Sequence, residues 1–488
     1  MQVIDKNIDA VDYMAQELPD KMSKEEALTL KAGKLEAELS NLGGNLKTMT
    51  SLDYGATLPV EGFLSVTEYI DQPFHLDENI EGRAVYSFRD KNFIFRKSYQ
   101  IDPRDSRLNI TLEVENLSSA PESLDITIST MALDMSRVDK KYLPQEHTLY
   151  EYSISTPQAV VRKNNAIKFS EKENKQIAGP INWVGFRDKY FCTIVKNKFE
   201  VNAIDVKVLD PSRAAFIFKP QGVILQPDSK IQFNALVYFG PQDGKLLKEF
   251  NEGFEQIVSF SSFGIVDAIA KLIYNTLNLF YTIIPNWGLC IILISLLVYG
   301  ATYPLTFLSM SSMKKMQAVQ PEVTALRSKY QNNPQKLNQE MIELYKKKRI
   351  NPLSGCFILL LQMPVFIALY QVLWRSVYFR GASFLWIKDL SQPDRLFILP
   401  FSLPFLGNEF NLLPILMAFS MFLQQKITAQ NTVITDPAQE AQQKMMKIFL
   451  PIMLGFLFYK FASGLALYFT MFYLLSTITQ LKVLKQKA

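Results

Sequence analysis

The chain has 488 residues, of which 48% are hydrophobic and 20% charged, and its formal net charge is +5. A disordered chain is excluded because the apolar content is too high, and a disulfide scaffold because only three cysteines occur. Three long stretches lack any Asp, Glu, Lys or Arg, which excludes a single soluble globule. They cover 26, 22 and 21 residues, at Ile283–Leu308, Leu353–Trp374 and Phe461–Leu481.

The charges divide the chain near residue 255. Residues 1–255 contain 31 basic and 38 acidic residues, a net charge of −7, and the remainder has a net charge of +12. The two parts therefore meet different surroundings.

Cys192, Cys290 and Cys356 include no Cys-x-x-Cys pair, and only two histidines are present. We therefore expect buried free thiols, no zinc site and no cofactor.

Residues 1–33 are interpreted as a polar linker that ends in a short helix at residues 24–31. Residues 1–50 contain no apolar run of even ten residues. The basic residues between the later apolar segments place residues 1–255 outside the cytoplasm, and an exported domain needs an export signal or an anchor. We therefore expect that a native N-terminal signal-anchor helix is missing from this chain.

Residues 34–255 alternate between apolar and polar side chains, with turn signals such as Asp102-Pro103 and Asp210-Pro211 between the runs. This period of two predicts a large antiparallel β-sandwich. No catalytic constellation stands out, and Glu113 with Glu115 fits a solvated sheet face. The predicted strands cover residues 35–39, 93–99, 108–114, 124–128, 191–195, 214–219 and 231–239.

Residues 256–285 are predicted to contain an amphipathic helix. Asp267, Lys271, Asn275, Asn278 and Thr282 recur at spacings of three and four, which places them on one helical face. A helix lying in the membrane interface fits this pattern, and a helix packed on the β-domain is the alternative.

Residues 286–481 are predicted to form a membrane core of five transmembrane helices, because a helix rises about 1.5 Å per residue and the hydrocarbon layer is about 30 Å thick. The segment 309–352 contains nine Lys and Arg and three acids, and the tail 482–488 is also basic. The positive-inside rule then places the hairpin and the C-terminus in the cytoplasm, with residues 1–255 outside. The predicted spans are 286–308, 353–377, 410–427, 446–461 and 464–481.

Within 309–352, apolar residues recur at helical spacing on both sides of Asn332-Asn333-Pro334. This pattern predicts a cytoplasmic helical hairpin of the coiled-coil type. Its basic surface would attract anionic lipid, ribosomal RNA or an acidic protein surface. The residues of this basic surface are Lys314, Lys315, Arg327, Lys346, Lys347, Lys348 and Arg349.

Several short motifs occur in a fixed order through residues 264–481. The motifs are Asn286-Trp287-Gly288, Tyr303-Pro304-Leu305-Thr306, Ser312-Met313-Lys314-Lys315-Met316, Gln320-Pro321, Asn351-Pro352-Leu353-Ser354-Gly355-Cys356, Gln362-Met363-Pro364, Phe384-Leu385-Trp386-Ile387-Lys388-Asp389-Leu390 and Ser463-Gly464-Leu465. Together they resemble the bacterial YidC family of membrane-protein insertases, and residues 34–255 resemble its periplasmic domain in position and size.

The resemblance implies a bacterial inner-membrane protein, not an enzyme, that inserts and folds nascent membrane proteins. It would act alone or with the Sec translocon, with the ribosome and anionic phospholipid as further partners. Five helices would surround a hydrophilic groove open to the cytoplasm and to lipid. The groove residues would be Ser295, Tyr299, Thr302, Gln362, Gln425, Tyr468, Thr470 and Tyr473.

The resemblance also implies an apolar slide for the substrate helix, lined by Met363, Pro364, Phe366, Phe456 and Phe458. One departure from the family concerns Tyr299, which stands where the family usually has an arginine. A step that attracts acidic substrate segments is then in doubt. Lys460 and Arg375 are expected to reach the outer interface.

Two other classes of function stay open from the sequence. One is a solute transporter or channel with an extracytoplasmic β sensor domain, which inverted repeats or paired broken helices would favour. The other is a membrane-anchored sugar-binding or hydrolase domain, which would need a carboxylate pair or an aromatic platform in 34–255.

Overall fold

The computed structural model describes residues 24–104, 107–137, 150–164, 166–220, 222–331, 333–348, 354–429 and 444–485. Most of the predicted linker, Arg349 of the predicted basic surface and part of the Asn351–Cys356 motif lie outside these ranges. The chain forms two compact units, Met1–Pro241 and Gln242–Ala488.

The described part of the first unit is almost entirely antiparallel β-structure. Its strands are β1 Ala27–Ala32, β2 Leu35–Ser40, β3 Asn45–Ser51, β4 Ala56–Thr57, β5 Val60–Glu61, β6 Ser65–Val66, β7 His75–Ile80, β8 Arg83–Arg89, β9 Phe93–Asp102, β10 Arg107–Asn116, β11 Glu122–Ser123, β12 Ile128–Asp134, β13 Glu151–Ser155, β14 Val160–Asn164, β15 Lys175–Ala178, β16 Trp183–Arg187, β17 Phe191–Asn197, β18 Ala203–Asp210, β19 Arg213–Phe218, β20 Ile224–Leu225 and β21 Lys230–Pro241.

Two large sheets dominate this unit. One has nine strands in the order β14-β13-β16-β17-β21-β10-β9-β8-β7, and the other has the order β15-β18-β19-β12-β5 with β6 also paired to β12. The strands β1 to β4 form a separate four-stranded sheet. Tyr152 of β13 packs edge-on against Phe216 of β19 at 5.0 Å, so the two large sheets face each other. The β-rich character predicted for residues 34–255 is confirmed.

The alternating sequence explains the central strands of the nine-stranded sheet. In β10, Leu108, Ile110, Leu112 and Val114 are completely buried, and the residues between them are not. On the other face, Arg96 of β9 forms ion pairs with both acids: its Nη1 lies 3.1 Å from Glu113 Oε1 and 2.6 Å from Glu115 Oε2. The acidic pair is therefore part of a surface ion-pair network, as its sequence context indicated.

Two predictions for this unit are wrong. Residues 27–32 form β1, which pairs along its whole length with β2, rather than part of a helix. Gly33 has a φ of +55° in the turn between them, a conformation that favours glycine, so the β-structure begins before residue 34. The second wrong prediction is the strand at residues 124–128, because residues 124–127 are not part of a β-sheet ladder. The strand β12 begins at Ile128, since Thr127 N donates a hydrogen bond to the Glu68 carboxylate instead.

The described part of the second unit is helical apart from one β-hairpin. Two of its described helices are long and apolar enough to cross a membrane, over Trp287–Pro304 and Ser463–Leu481, and Leu412–Ile427 is a shorter apolar helix. The helices are α1 Gly244–Glu249, α2 Gly264–Ile283, α3 Trp287–Ala318, α4 Gln320–Lys329, α5 Pro334–Lys347, α6 Ser354–Arg375, α7 Leu412–Ala429, α8 Leu450–Leu457 and α9 Ser463–Lys485. The hairpin consists of β22 Phe397–Leu403 and β23 Gly407–Phe410.

The segments around α8 and α3 differ from the simple helices expected. A π-helical turn at Met445–Phe449 precedes α8, and a 3₁₀ turn at Phe458–Lys460 follows it. The helix α3 extends ten residues past the predicted end at 308, so Lys314 and Lys315 belong to α3 rather than to the helical hairpin. The helical hairpin itself is α4 and α5.

The predicted amphipathic helix forms as α2, with an apolar buried face that packs on α6. Its polar residues do not make a uniformly polar outer face, because Leu272, Leu279 and Ile283 are exposed as well. Asp267 accepts a hydrogen bond from Phe260 N at 2.7 Å and pairs with Lys271 at 2.8 Å, which fixes the start of the helix.

Candidate functional site

Three of the sequence motifs meet at the N-terminal ends of α3 and α9. Gly288 at the start of α3 lies so close to Phe384 that any Cβ at this position would overlap the aromatic ring. At the start of α9, Ser463 N donates to Gln392 O at 2.8 Å and Gly464 N donates to Leu390 O at 2.9 Å. The loop that follows α6 is therefore fixed to the ends of two apolar helices.

A stack of four aromatic rings reinforces the same end of the helices. Trp287 stacks on Tyr281 at 4.1 Å on one face and on Tyr378 at 4.9 Å on the other, with interplanar angles of 11° and 13°. Tyr274 continues the stack beyond Tyr378 at 6.0 Å. These rings join α2, α3 and the segment after α6. Stacked Trp and Tyr at a helix end are typical of the boundary between membrane and water.

A buried carboxylate orders the rest of the loop. Asp394 accepts hydrogen bonds from Trp386 Nε1 at 3.1 Å and from Leu412 N and Leu413 N at 2.9 and 3.0 Å. It thereby satisfies free N–H groups at the start of α7 and interacts favourably with the helix dipole. Arg375 donates to Ser259 O at 2.8 Å, so its guanidinium is held by the protein.

The hydroxyl groups predicted to line the groove mostly bond to their own helices. Ser295 donates to Ile291 O at 2.6 Å, Thr302 to Val298 O at 2.9 Å and Thr470 to Ala466 O at 2.7 Å. Each acceptor lies four residues earlier in the same helix, a pattern that lets Ser and Thr occur in apolar helices. These residues therefore do not require a wet groove.

Tyr299 differs from them. Its side chain is only 8% exposed, and its ring meets Phe472 of α9 edge-on at 5.6 Å. Its hydroxyl lies near Ser476 and Thr479, but no well-directed hydrogen bond satisfies it within the part of the chain that the structure describes. A buried hydroxyl in this state is unfavourable unless water reaches it. Among the predicted groove residues, Tyr299 is therefore the one whose buried hydroxyl needs a polar partner such as water.

The remaining predicted groove residues are distributed over three helices. Tyr468 is buried and Tyr473 is half-buried on α9, where both join Phe469 and Phe472 in a run of ring contacts between 5.3 and 6.2 Å. Gln425 is half-buried near the end of α7, and the side chain of Gln362 lies outside the described residues. Sequence reasoning missed Phe469 and Phe472, although they share the spacing of the tyrosines.

The residues predicted to form the slide divide into two groups. Met363 and Phe456 are 43% and 55% exposed, as a surface for an apolar partner requires. Phe366 instead packs on Phe469 at 5.2 Å, and Pro364 is half-buried. Phe458 is buried against Phe461 and Phe469, at 5.1 and 5.2 Å, and therefore belongs to the packed interior in this conformation.

The basic hairpin has a small core of its own. Val319 and Val323 are buried against Met341, Leu344 and Tyr345 of α5. Lys348 pairs with Glu322 at 2.6 Å across the two helices. Lys346 and Lys347 on α5 and Lys315 at the end of α3 have exposed side chains, and Arg327 is half-exposed on α4.

Comparisons with known proteins agree with this architecture. Residues 279–488 match the family model described as 60Kd inner membrane protein, and residues 74–276 match that of the YidC periplasmic domain. Proteins named membrane protein insertase YidC from Pseudoalteromonas atlantica and a Geobacter species are each 33% identical over 396 residues. The matches cover 81% and 80% of this chain and 67% and 68% of those proteins.

Among solved structures, a putative aldose 1-epimerase from Escherichia coli matches at 10% identity with a TM-score of 0.31, covering 45% of this chain and all of that one. A galactose mutarotase-like protein from Lactobacillus casei matches at 8% identity with a TM-score of 0.33, covering 44% of this chain and all of that one. The sequence matches span both units and include a domain defined as periplasmic. The chain therefore belongs to the YidC family of inner-membrane protein insertases.

Proposed function

We propose that this insertase crosses the membrane five times, through α3, α6, α7, the segment 445–460 and α9. The lengths and apolar composition of α3 and α9 support this arrangement directly, and α6 has 22 residues. The charges support an orientation with the basic helical hairpin and the C-terminus in the cytoplasm and residues 1–255 in the periplasm.

In this proposal the helices enclose a polar groove that shortens the apolar distance a substrate must cross. A charge at the bilayer centre costs at least about 3 kcal/mol, so polar surroundings within the membrane lower the barrier to moving a hydrophilic segment. The observation that carries the groove is the buried hydroxyl of Tyr299 beside Ser476 and Thr479. The fixed loop at the N-terminal ends of α3 and α9 would close the groove on the periplasmic side.

No positive charge occurs between residues 283 and 308, so this groove would act through polarity and local thinning rather than by attracting acidic segments. The exposed Met363 and Phe456 would accept the apolar helix of the substrate as it passes into lipid. This mechanism needs neither covalent chemistry nor a nucleotide, so we assign no enzymatic activity and no small-molecule substrate.

A test of this mechanism replaces Tyr299 by arginine. We expect insertion of a short substrate with an acidic tail to rise about tenfold, equivalent to about 1.4 kcal/mol of added attraction. Insertion of the same substrate with a neutral tail should not rise. The measurement is protease protection of the tail in proteoliposomes.

Tyr299→Phe is the matched control, because it removes only the hydroxyl. We expect slower insertion of both substrates, since the groove loses a polar group without losing volume. Unchanged insertion with Tyr299→Phe would assign Tyr299 to packing alone. A similar gain for both tails with Tyr299→Arg would contradict the missing electrostatic step.

The insertase function implies that nascent membrane proteins are the substrates. We further propose that the ribosome, the Sec translocon and anionic phospholipid are partners, with the basic hairpin as the contact. Lys346 and Lys347 support this, because they leave positive charge on a small folded unit that its own acids do not neutralise, and Lys315 adds to it from the end of α3.

A further inference from the structure

The loop between α6 and α7 contains a β-hairpin that no sequence motif indicated. Its strands β22 and β23 pair in antiparallel fashion, with Phe397 opposite Phe410 and Leu403 opposite Gly407. The rings of Phe397 and Phe410 stack at 4.6 Å with an interplanar angle of 8°. Among the described strands no third one joins this pair.

The hairpin exposes an unusual amount of apolar surface. Residues 396–408 contain no charged side chain. Ile398 is 70% exposed, and Phe405 at the turn is 85% exposed. Phe397 and Phe401 are exposed as well. An isolated two-stranded sheet with such a surface is an aggregation hazard in water, so an apolar environment is expected to cover it.

Charges occur at the base of the hairpin. Arg395 Nε lies 2.8 Å from Glu409 Oε1, and Arg395 N donates to Asn411 Oδ1 at 2.9 Å. Asn411 in turn donates to Tyr459 O at 2.8 Å, which joins the base to the end of the segment 445–460. The hairpin thus has a rigid charged base and an apolar end, the distribution of elements that enter the membrane interface.

The apolar surface leads along the chain into a helix of the membrane core. β23 ends at Phe410, and α7 begins at Leu412 with Ile415 and Phe419 exposed. The loop also lies at the end of α6 opposite to α5, and hence away from the basic hairpin. Lipid is therefore the cover with which the surface is continuous.

We propose that residues 396–410 form a lipid-inserted anchor, with Ile398, Phe401 and Phe405 in the leaflet opposite the basic helical hairpin. This rests on the membrane-spanning arrangement described under the proposed function. The anchor fixes the N-terminal end of α7 at the level of the lipid headgroups. Through Asn411 and Tyr459 it does the same for the end of the segment that carries Phe456.

The test attaches an environment-sensitive fluorophore to single cysteines. Cys192, Cys290 and Cys356 are first replaced by alanine, and cysteine is then introduced by Ile398→Cys or Phe405→Cys in the full chain, one molecule per lipid nanodisc. Ile342→Cys is the water-facing control, because Ile342 is exposed on α5 of the basic hairpin. Phe419→Cys is the lipid-facing control on α7.

We expect nitroxide lipids labelled near the headgroup to quench the probes at residues 398 and 405 at least about fivefold more strongly than the probe at residue 342. Iodide in the buffer should show the opposite order. If iodide quenches the probes at residues 398 and 405 as strongly as the probe at residue 342, while lipid still quenches the probe at residue 419, the lipid-inserted anchor is wrong. The membrane-spanning arrangement would stand in that case.

Two other outcomes have separate meanings. A lack of lipid quenching at residue 419 as well would overturn the spanning arrangement and, with it, the anchor. Probes that are protected from iodide only when several chains share a liposome, and not when one chain occupies a nanodisc, would show that a second copy covers the hairpin and would also overturn the proposal.

Discussion

Replacing Gly288 by alanine is expected to destabilise the helical unit by about 3 kcal/mol, the upper part of the range for overpacking a tight contact. The added Cβ would overlap the ring of Phe384, which is held by the pairing of Phe384 with Ile387. The loop and α3 cannot both keep their positions. Equilibrium unfolding in mixed micelles would measure the loss.

The helix α3 offers a matched control for this change. Apart from the backbone of α3 itself, no atom of the described residues lies within 4 Å of a Cβ placed at Gly300, so Gly300→Ala should be neutral or stabilising by up to about 1 kcal/mol. Phe384→Ala should partly restore the Gly288→Ala chain, because it removes the overlapping ring. Equal effects of Gly288→Ala and Gly300→Ala would contradict the role of this contact.

The second large effect concerns Lys97 in the nine-stranded sheet. This side chain is 1% exposed, and its Nζ donates to Asn45 Oδ1 at 2.9 Å and lies 3.3 Å from Ser65 Oγ. Burial lowers the pKa of Lys97 from 10.5 to about 7. Between these two values the unfolded chain holds a proton that the folded chain does not. The stability of the sheet unit should therefore rise as the pH rises from 7 to 10.5.

A Lys97→Met chain should lack this dependence. We expect the wild-type chain to be less stable than the variant by up to about 4 kcal/mol at pH 7, and this deficit should disappear towards pH 10.5. Urea unfolding followed by the fluorescence of the buried Trp183, in chains whose other three tryptophans are replaced by phenylalanine, would measure it. Lys207→Met on the exposed face of β18 is the control for replacing a lysine by methionine in a strand. A constant difference for Lys97→Met would contradict the buried uncharged amine.

The sequence predicted the strands well where apolar and polar residues alternate regularly. It failed where a strand depends on its pairing partner. β9 and β10 follow the period of two along their whole length. β1 was missed because the charged residues 24–26 directly before it resemble the start of a helix, and the decisive feature is the pairing of residues 27–32 with 35–40 across Gly33. Such a partner cannot be identified from the segment itself.

The site shows a similar division. The motifs at Gly288, Phe384 and Ser463 were found as separate signals, but only the fold shows that they form one contact. The resemblance implied that Ser295 and Thr470 line the groove, but the sequence cannot show whether such a hydroxyl faces a groove or bonds to its own helix backbone, as both do here. Phe458 was assigned to a surface, but the 3₁₀ turn at Phe458–Lys460 directs it inward.

The most direct test of the proposed mechanism is insertion by the purified chain alone. It would be reconstituted in liposomes and given a short single-span protein, and protease protection of that protein would be measured. The proposed groove predicts protection without nucleotide, reduced by Tyr299→Phe. Solute flux across the same liposomes without any protection of the single-span protein would contradict it.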